Sequence, residues 1–279
     1  MVCTKLNKVH PIMEFSVAIE VEQLSHYYND HAAVDDISFE VQTGTIFGLL
    51  GPNGAGKSTT VKILTTLLPA SHGTTRVCGY DVQKNAPQVC RNIGYVPQAL
   101  SADGDLTGYE NLTLSAKLYG LDAHARYDKI HEVLDFMGLT EVKDTLVNKY
   151  SGGMIRRLEI AQGLVHQPHA LFLDEPTVGL DPTARSMLWK HLQEWRKKQN
   201  TTILLTTHDM DEADALCDVV AFMDHGHIVA IDTPKNLKSA ISPNATLDEA
   251  FIYYTGSSIT DGGGFLHAKQ VRRNLSRYQ

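Results

Sequence analysis

Gly51-Pro52-Asn53-Gly54-Ala55-Gly56-Lys57-Ser58 follows the apolar run Ile46 to Leu50 and precedes a stretch in which Val61, Leu64 and Leu68 share one helical face. The order is strand, glycine-rich loop, helix. That context turns the spacing G-x-x-x-x-G-K-[ST] into a phosphate-binding loop. Glycines free backbone N–H groups to turn inward around phosphate oxygens. The helix that follows presents its positive dipole end to the same anion. Lys57 supplies a mobile charge for the β- and γ-phosphates, the Ser58 hydroxyl can ligate Mg²⁺, and Thr59 can add a contact to the α-phosphate.

Outward from this loop the texture alternates. Val17, Ile19 and Val21 interleave with Ala18, Glu20 and Glu22, and Ile37, Phe39 and Val41 with Ser38 and Glu40, as in half-exposed strands. Residues 99–164 are richer in helical segments, such as Glu110 to Leu118 and Asp128 to Met137, and read as a helical insertion. Strand-helix alternation then returns. Ala170 to Leu173, Thr202 to Thr206 and Val219 to Met223 are short apolar strands, and Thr183 to Gln199 is a helix with Leu188, Leu192 and Trp195 on one side. Alternating units of this kind predict an α/β fold with a mostly parallel sheet covered on both faces.

Three further segments carry chemistry. Asp174-Glu175 ends an apolar strand, and such strands deliver their last side chains to the edge where ligands bind. Asp174 can hold Mg²⁺ through water, while Glu175 can polarise an attacking water. His208 ends the next apolar strand, from where an imidazole can reach a γ-phosphate and orient the water and Glu175. Gln98, in Tyr95-Val96-Pro97-Gln98, opens the helical insertion with an amide that can reach metal or water.

The 279 residues are 43% hydrophobic and 20% charged, close to a globular average, which excludes chains that are mainly disordered, collagen-like or coiled-coil. The net charge of −7 argues against a dedicated nucleic-acid binder. A membrane span needs about 20 mostly apolar residues, and the longest unbroken runs are Val219 to Met223 and Ala250 to Tyr254. Pro11 and Glu14 interrupt any signal-peptide core near Lys5 and Lys8. Cys3, Cys78, Cys90 and Cys217 have no metal-ligand spacing and read as reduced thiols.

Tyr150-Ser151-Gly152-Gly153-Met154, together with GPNGAGKST, YVPQ, LFLDEPT, GLDP and TTHD in this order, resembles the ATP-binding cassette (ABC) transporter ATPase subunit over roughly residues 17–235. The resemblance implies a P-loop NTPase (RecA-like) core, an antiparallel β subdomain and an inserted helical subdomain. It also implies that Tyr28 stacks on adenine, with the adjacent Tyr27 as the alternative. Gln98 matches the Q-loop, Ser151, Gly152 and Gly153 the signature, Asp181 the D-loop and His208 the H-loop. The usual signature Leu is Tyr150 and the usual Gln is Met154. Met154 followed by Arg156 and Arg157, and the stretch Ile241 to Gly256, are similar to the drug-resistance and polysaccharide exporter branch.

From this follow an expected organisation and mode of action. Residues 1–14 form a leader, 15–98 and 165–255 the two parts of the nucleotide-binding core, 99–164 the signature subdomain, and 256–279 a basic tail with Lys269, Arg272, Arg273 and Arg277. The resemblance implies ATP and Mg²⁺ as cofactors and a head-to-tail pair, read here as a homodimer, sandwiching two ATP. Separate integral-membrane permease subunits are the implied partners, with this chain peripheral on the cytoplasmic side and no nucleic acid expected. A soluble cassette ATPase of assembly or nucleic-acid processes is the alternative.

Overall fold

A computed structural model of the protein describes residues 16–256. The expected leader and the basic tail beyond Gly256 lie outside the described residues. Two sheets organise the rest. The first is antiparallel, in the order β2-β1-β4-β5, from β1 (Val17–Tyr28), β2 (His31–Gln42), β4 (His72–Val77) and β5 (Tyr80–Asp81). A two-residue turn at Asn29-Asp30 joins β1 to β2, and Asn29 takes the positive φ of +52° that this tight connection demands.

The second sheet has six strands: β3 (Ile46–Leu50), β6 (Ile93–Val96), β7 (Ala170–Asp174), β8 (Thr202–Thr207), β9 (Val219–Asp224) and β10 (His227–Asp232). Their order is β10-β9-β3-β8-β7-β6. All pairings are parallel except β9 with β10. Every residue of β3, β7 and β8 is buried, as two covered faces require. Because the strands run together, Leu50, Val96, Asp174 and Thr207 end on one edge, and the loops that carry the motifs leave from there.

Helix α1 (Lys57–Leu64) follows the phosphate loop. It stops before Leu68, one turn short of the expected apolar stripe. Thr65 folds its hydroxyl back onto the Val61 carbonyl at 2.8 Å, and Thr66 has φ +66°. After α2 (Ala86–Asn92) and β6, the inserted stretch contains α3 (Gly108–Leu118), α4 (Ala123–Phe136) and α5 (Gly152–Leu164). Leu112, Leu134 and Leu158 of these helices share one core with Leu171 and Leu205 of the sheet. Helix α5 reaches both regions. Its N-terminus is capped by Ser151, while near its end Gly163 lies against Gly94 of β6, where an added Cβ would fall 2.2 Å from the Gly163 carbonyl oxygen.

Helix α6 (Pro182–Gln199) buries Leu188, Leu192 and Trp195, the stripe expected from its spacing. Helices α7 (Met210–Leu216), α8 (Pro234–Ser239) and α9 (Leu247–Thr255) complete the described chain. No described helix is long and apolar enough to cross a membrane.

Candidate active site

At Gly51 and Gly56 the phosphate loop has no room for a side chain. A Cβ on Gly51 would fall 2.1 Å from the Met223 carbonyl oxygen, and one on Gly56, which also has φ +103°, would fall 2.3 Å from that of Ala33. Neighbouring backbone therefore presses on the loop from β9 and β2. Lys57 is 4% exposed, and its ammonium donates to the Gly51 and Pro52 carbonyls at 2.8 and 3.1 Å. Burial pushes its pKa down, and the nearby Glu175 and Asp174 carboxylates push it partly back up. The loop floors a cleft of about 530 Å³ lined by His31, Ala33, Asn53, Gly54, Gly56, Lys57, Ser58, Thr59, Gln98 and Glu175. That volume suits a small-molecule ligand.

The two adjacent carboxylates take separate partners. Asp174 Oδ1 accepts from the Ser58 hydroxyl at 2.9 Å and the Thr206 hydroxyl at 2.6 Å, which ties β7 to α1 and β8. Glu175 has φ +47°, an unfavourable conformation for a residue with a Cβ. Its N–H is held there by both the Thr206 carbonyl at 3.1 Å and the Thr206 hydroxyl at 3.0 Å. The carboxylate then stands 3.7 Å from Lys57 Nζ and 3.3 Å from His208 Nδ1 through Oε1. Its Oε2 accepts from Gln98 Nε2 at 3.1 Å. Glu175 is 5% exposed, so these partners take the place of water.

The fold thus assembles Lys57, Ser58, Gln98, Asp174, Glu175 and His208 from four segments. Asp174, which accepts from Ser58, and Gln98, which lines the same cleft, offer hard oxygen groups of the type magnesium prefers. Among the described residues no cluster of three or more His, Cys, Asp or Glu is arranged for a metal. Magnesium, which keeps most of its waters and uses few protein ligands, needs none.

Other expected site residues stand elsewhere. Tyr28 and Tyr27 are 45% and 42% exposed, and neither lines the cleft. Tyr28 pairs across the hairpin with His31, which does line it, whereas the Tyr27 ring contacts His72 at 6.1 Å. Ser151, Gly152, Gly153 and Asp181 are likewise absent from the cleft wall. Ser151 caps α5 by accepting from the Met154 N–H at 3.3 Å. Asp181 caps α6 by accepting from the Thr183 and Ala184 N–H groups, both at 3.0 Å. The two helix starts adjoin: a Cβ on Gly153 would fall 3.1 Å from that of Ala184.

Sequence reasoning passes over several contributors. His31 and Ala33 line the cleft because the hairpin brings β2 over the loop, which no motif announces. Thr206 supports the Asp174 carboxylate and the Glu175 main chain, and its only signal is being one strand residue ahead of Thr207-His208. Arg156 and Glu159, three apart on α5, are both 3% exposed. The spacing suggests a helical pair, but nothing in the sequence says that it is buried.

The family model for the ABC transporter matches residues 34–178, from β2 past Glu175. The chain is 44% identical over 81% of its length to the daunorubicin/doxorubicin resistance ATP-binding protein DrrA of Streptomyces peucetius, covering 68% of that protein. It is 42% identical over 80% of its length to the Nod factor export ATP-binding protein I of Burkholderia pseudomallei, covering 73% of it. A solved structure of an ATP-binding subunit of an ABC transporter superposes with a TM-score of 0.77 at 29% identity, over 85% of this chain and 99% of that one. With the phosphate loop, the paired carboxylates and the Ser151 helix placed as they are, the chain belongs to the ABC transporter family as an ATP-binding subunit.

Proposed function

We propose that this chain hydrolyses ATP to ADP and phosphate and, as the motor of an exporter, works through separate integral-membrane subunits from the cytoplasmic side. The observation that carries the chemistry is the placement of Glu175. Its carboxylate lies in the wall of the phosphate cleft, with Lys57, His208 and Gln98 on its oxygens.

On this reading the triphosphate lies along the loop, and Lys57 exchanges its carbonyl partners for β- and γ-phosphate oxygens. Tyr28, on the His31 side of the hairpin, stacks on adenine. Ser58, Gln98 and Asp174 hold the magnesium, which when bound neutralises developing charge on the phosphates. Glu175 accepts a proton from the attacking water, and His208 orients that carboxylate and meets the γ-phosphate. Positioning and electrostatic stabilisation supply the rate. Ser151, Gly152 and Gly153 stand away from the cleft, and a second copy completes each site with them, Asp181 lying beside the contact. The direction of transport is supported by the names of the two relatives, one a resistance protein and one an export protein.

Glu175→Gln tests the base. Its amide cannot accept the proton, so turnover should fall by about 10²-fold or more while ATP binding, measured by equilibrium titration, persists. Hydrolysis at the parent rate would remove Glu175 from this role.

A further inference from the structure

Arg156 and Glu159 line no part of the cleft, yet they bind the backbone of both loops that shape it. Arg156 Nε and Nη2 donate to the Pro176 and Glu175 carbonyls at 2.9 and 3.2 Å. Nη1 and Nη2 donate to the Pro97 and Gln98 carbonyls at 2.8 and 3.3 Å. Nη1 also meets Glu159 Oε2 at 3.1 Å. The other oxygen, Glu159 Oε1, accepts from the Ser101 N–H, from the Ser101 hydroxyl at 3.2 Å and from the Ala102 N–H at 3.3 Å. One buried ion pair on α5 therefore fastens the stretch from Pro97 to Ala102 on one side and Glu175-Pro176 on the other.

The chemistry explains why the pair has this form. Four carbonyls from two loops converge, and a guanidinium carries five N–H donors in a rigid fork. An ammonium offers three donors around a point and cannot span both loops. The pair is also placed to matter, since Gln98 and Glu175 are the two side chains that meet at 3.1 Å over the cleft. Arg156 fixes the main chain of both.

We infer that Arg156 and Glu159 are positioning residues for hydrolysis: from outside the cleft, they set the distance between the Gln98 amide and the Glu175 carboxylate. The inference rests on the ATPase reading above. It also gives α5 a mechanical part, because the helix capped by Ser151 carries the clamp in its second turn. Movement of that end is passed directly to the base and to the Gln98 loop.

The test compares Arg156→Lys with the parent chain, with turnover counted per ATP-binding site. ATP affinity should stay within about twofold, while turnover per site falls roughly tenfold or more, as small misplacements of catalytic groups do. In a Gln98→Ala background the same substitution should cost less than about threefold, because residues acting through one another are not additive. Parent turnover in Arg156→Lys overturns the inference. So does an equal loss in both backgrounds, which is what a merely structural pair would give. If Arg156→Lys does not fold, Glu159→Gln carries the same comparison, since it keeps the shape and removes the charge. Glu175→Gln, run alongside, separates the two readings: its continued hydrolysis defeats the ATPase assignment, whatever Arg156 does.

Discussion

Adjacent residues of a strand face opposite sides of a sheet, so only one of Tyr27 and Tyr28 shares a face with His31. Directly opposed residues of a hairpin stand on the same face, and Tyr28 is the partner of His31. On the proposed reading Tyr28 is therefore the adenine platform, while the Tyr27 ring lies beside His72. Stacking of a base on an aromatic ring contributes about 1–3 kcal/mol. Tyr28→Ala should therefore weaken ATP binding about tenfold, each factor of ten being about 1.4 kcal/mol, while Tyr27→Ala should change it by less than about twofold. Titration of both variants with a fluorescent ATP analogue decides between them, and the reverse ranking would move the adenine to the other side of the strand. Glu175 makes a similar point. Its left-handed backbone is tolerated because Thr206 grips its N–H twice, and the turn lets Asp174 and Glu175 take different partners although they are adjacent in sequence.

Among elements, strands with a continuous apolar run or a regular alternation, as in β1 and β2, were legible and the others were not. Strands β3, β7, β8 and β9 are continuous apolar runs, and α6 shows its buried stripe as Leu188, Leu192 and Trp195. Strands β4 and β10 bury too little to show an alternation, and β6 is only four residues long. The order of the sheet, with β3 between β8 and β9, depends on contacts far apart in sequence. The motifs named most of the residues that line the cleft, but the Arg156–Glu159 clamp needed packing to be seen. His166, just past the end of α5, is another such feature. Its Nε2 lies 2.9 Å from the Ile93 carbonyl oxygen, and its ring stacks on Tyr119 at 3.5 Å. Its Nδ1 is buried with no hydrogen-bond partner among the described residues. A second ring proton would have nowhere to go, and burial lowers the pKa to about 4. The unfolded chain, with a value near 6.5, binds the proton first as pH falls. Stability from this site is complete above about pH 6.5 and declines toward pH 4. Between pH 7 and 5 the loss should be on the order of 1–2 kcal/mol. Urea melts at the two pH values should show His166→Gln losing that much less than the parent. An identical loss in the variant would place the acid sensitivity in other groups.

For the molecule as a whole, the proposed function calls on two helix starts, those of α1 and α5, that do not meet within one chain. The phosphate cleft sits on the sheet edge, while the Ser151 end of α5 faces solvent outside it. Gly152 makes the case for a second copy. It is exposed, and an added Cβ there would meet nothing within 4 Å. Among the described residues no contact requires a glycine at that position, in contrast to Gly51 and Gly56. A partner pressing a phosphate against the start of the helix would require one. Gly152→Asp separates the two accounts. Within one chain, a carboxylate in the first turn of α5 meets the positive helix end, which is favourable by about 0.3–1 kcal/mol, so folding stability should hold or rise slightly and ATP should still bind. Across a pair, that carboxylate faces the γ-phosphate of the other copy. ATP-dependent pairing, followed by light scattering in a Glu175→Gln background that prevents turnover, should be lost. With Glu175 intact, Gly152→Asp should lower hydrolysis at least about tenfold, and hydrolysis by the parent should rise per chain with protein concentration. A Gly152→Asp protein that still pairs and hydrolyses at the parent rate would mean that each chain completes its own site.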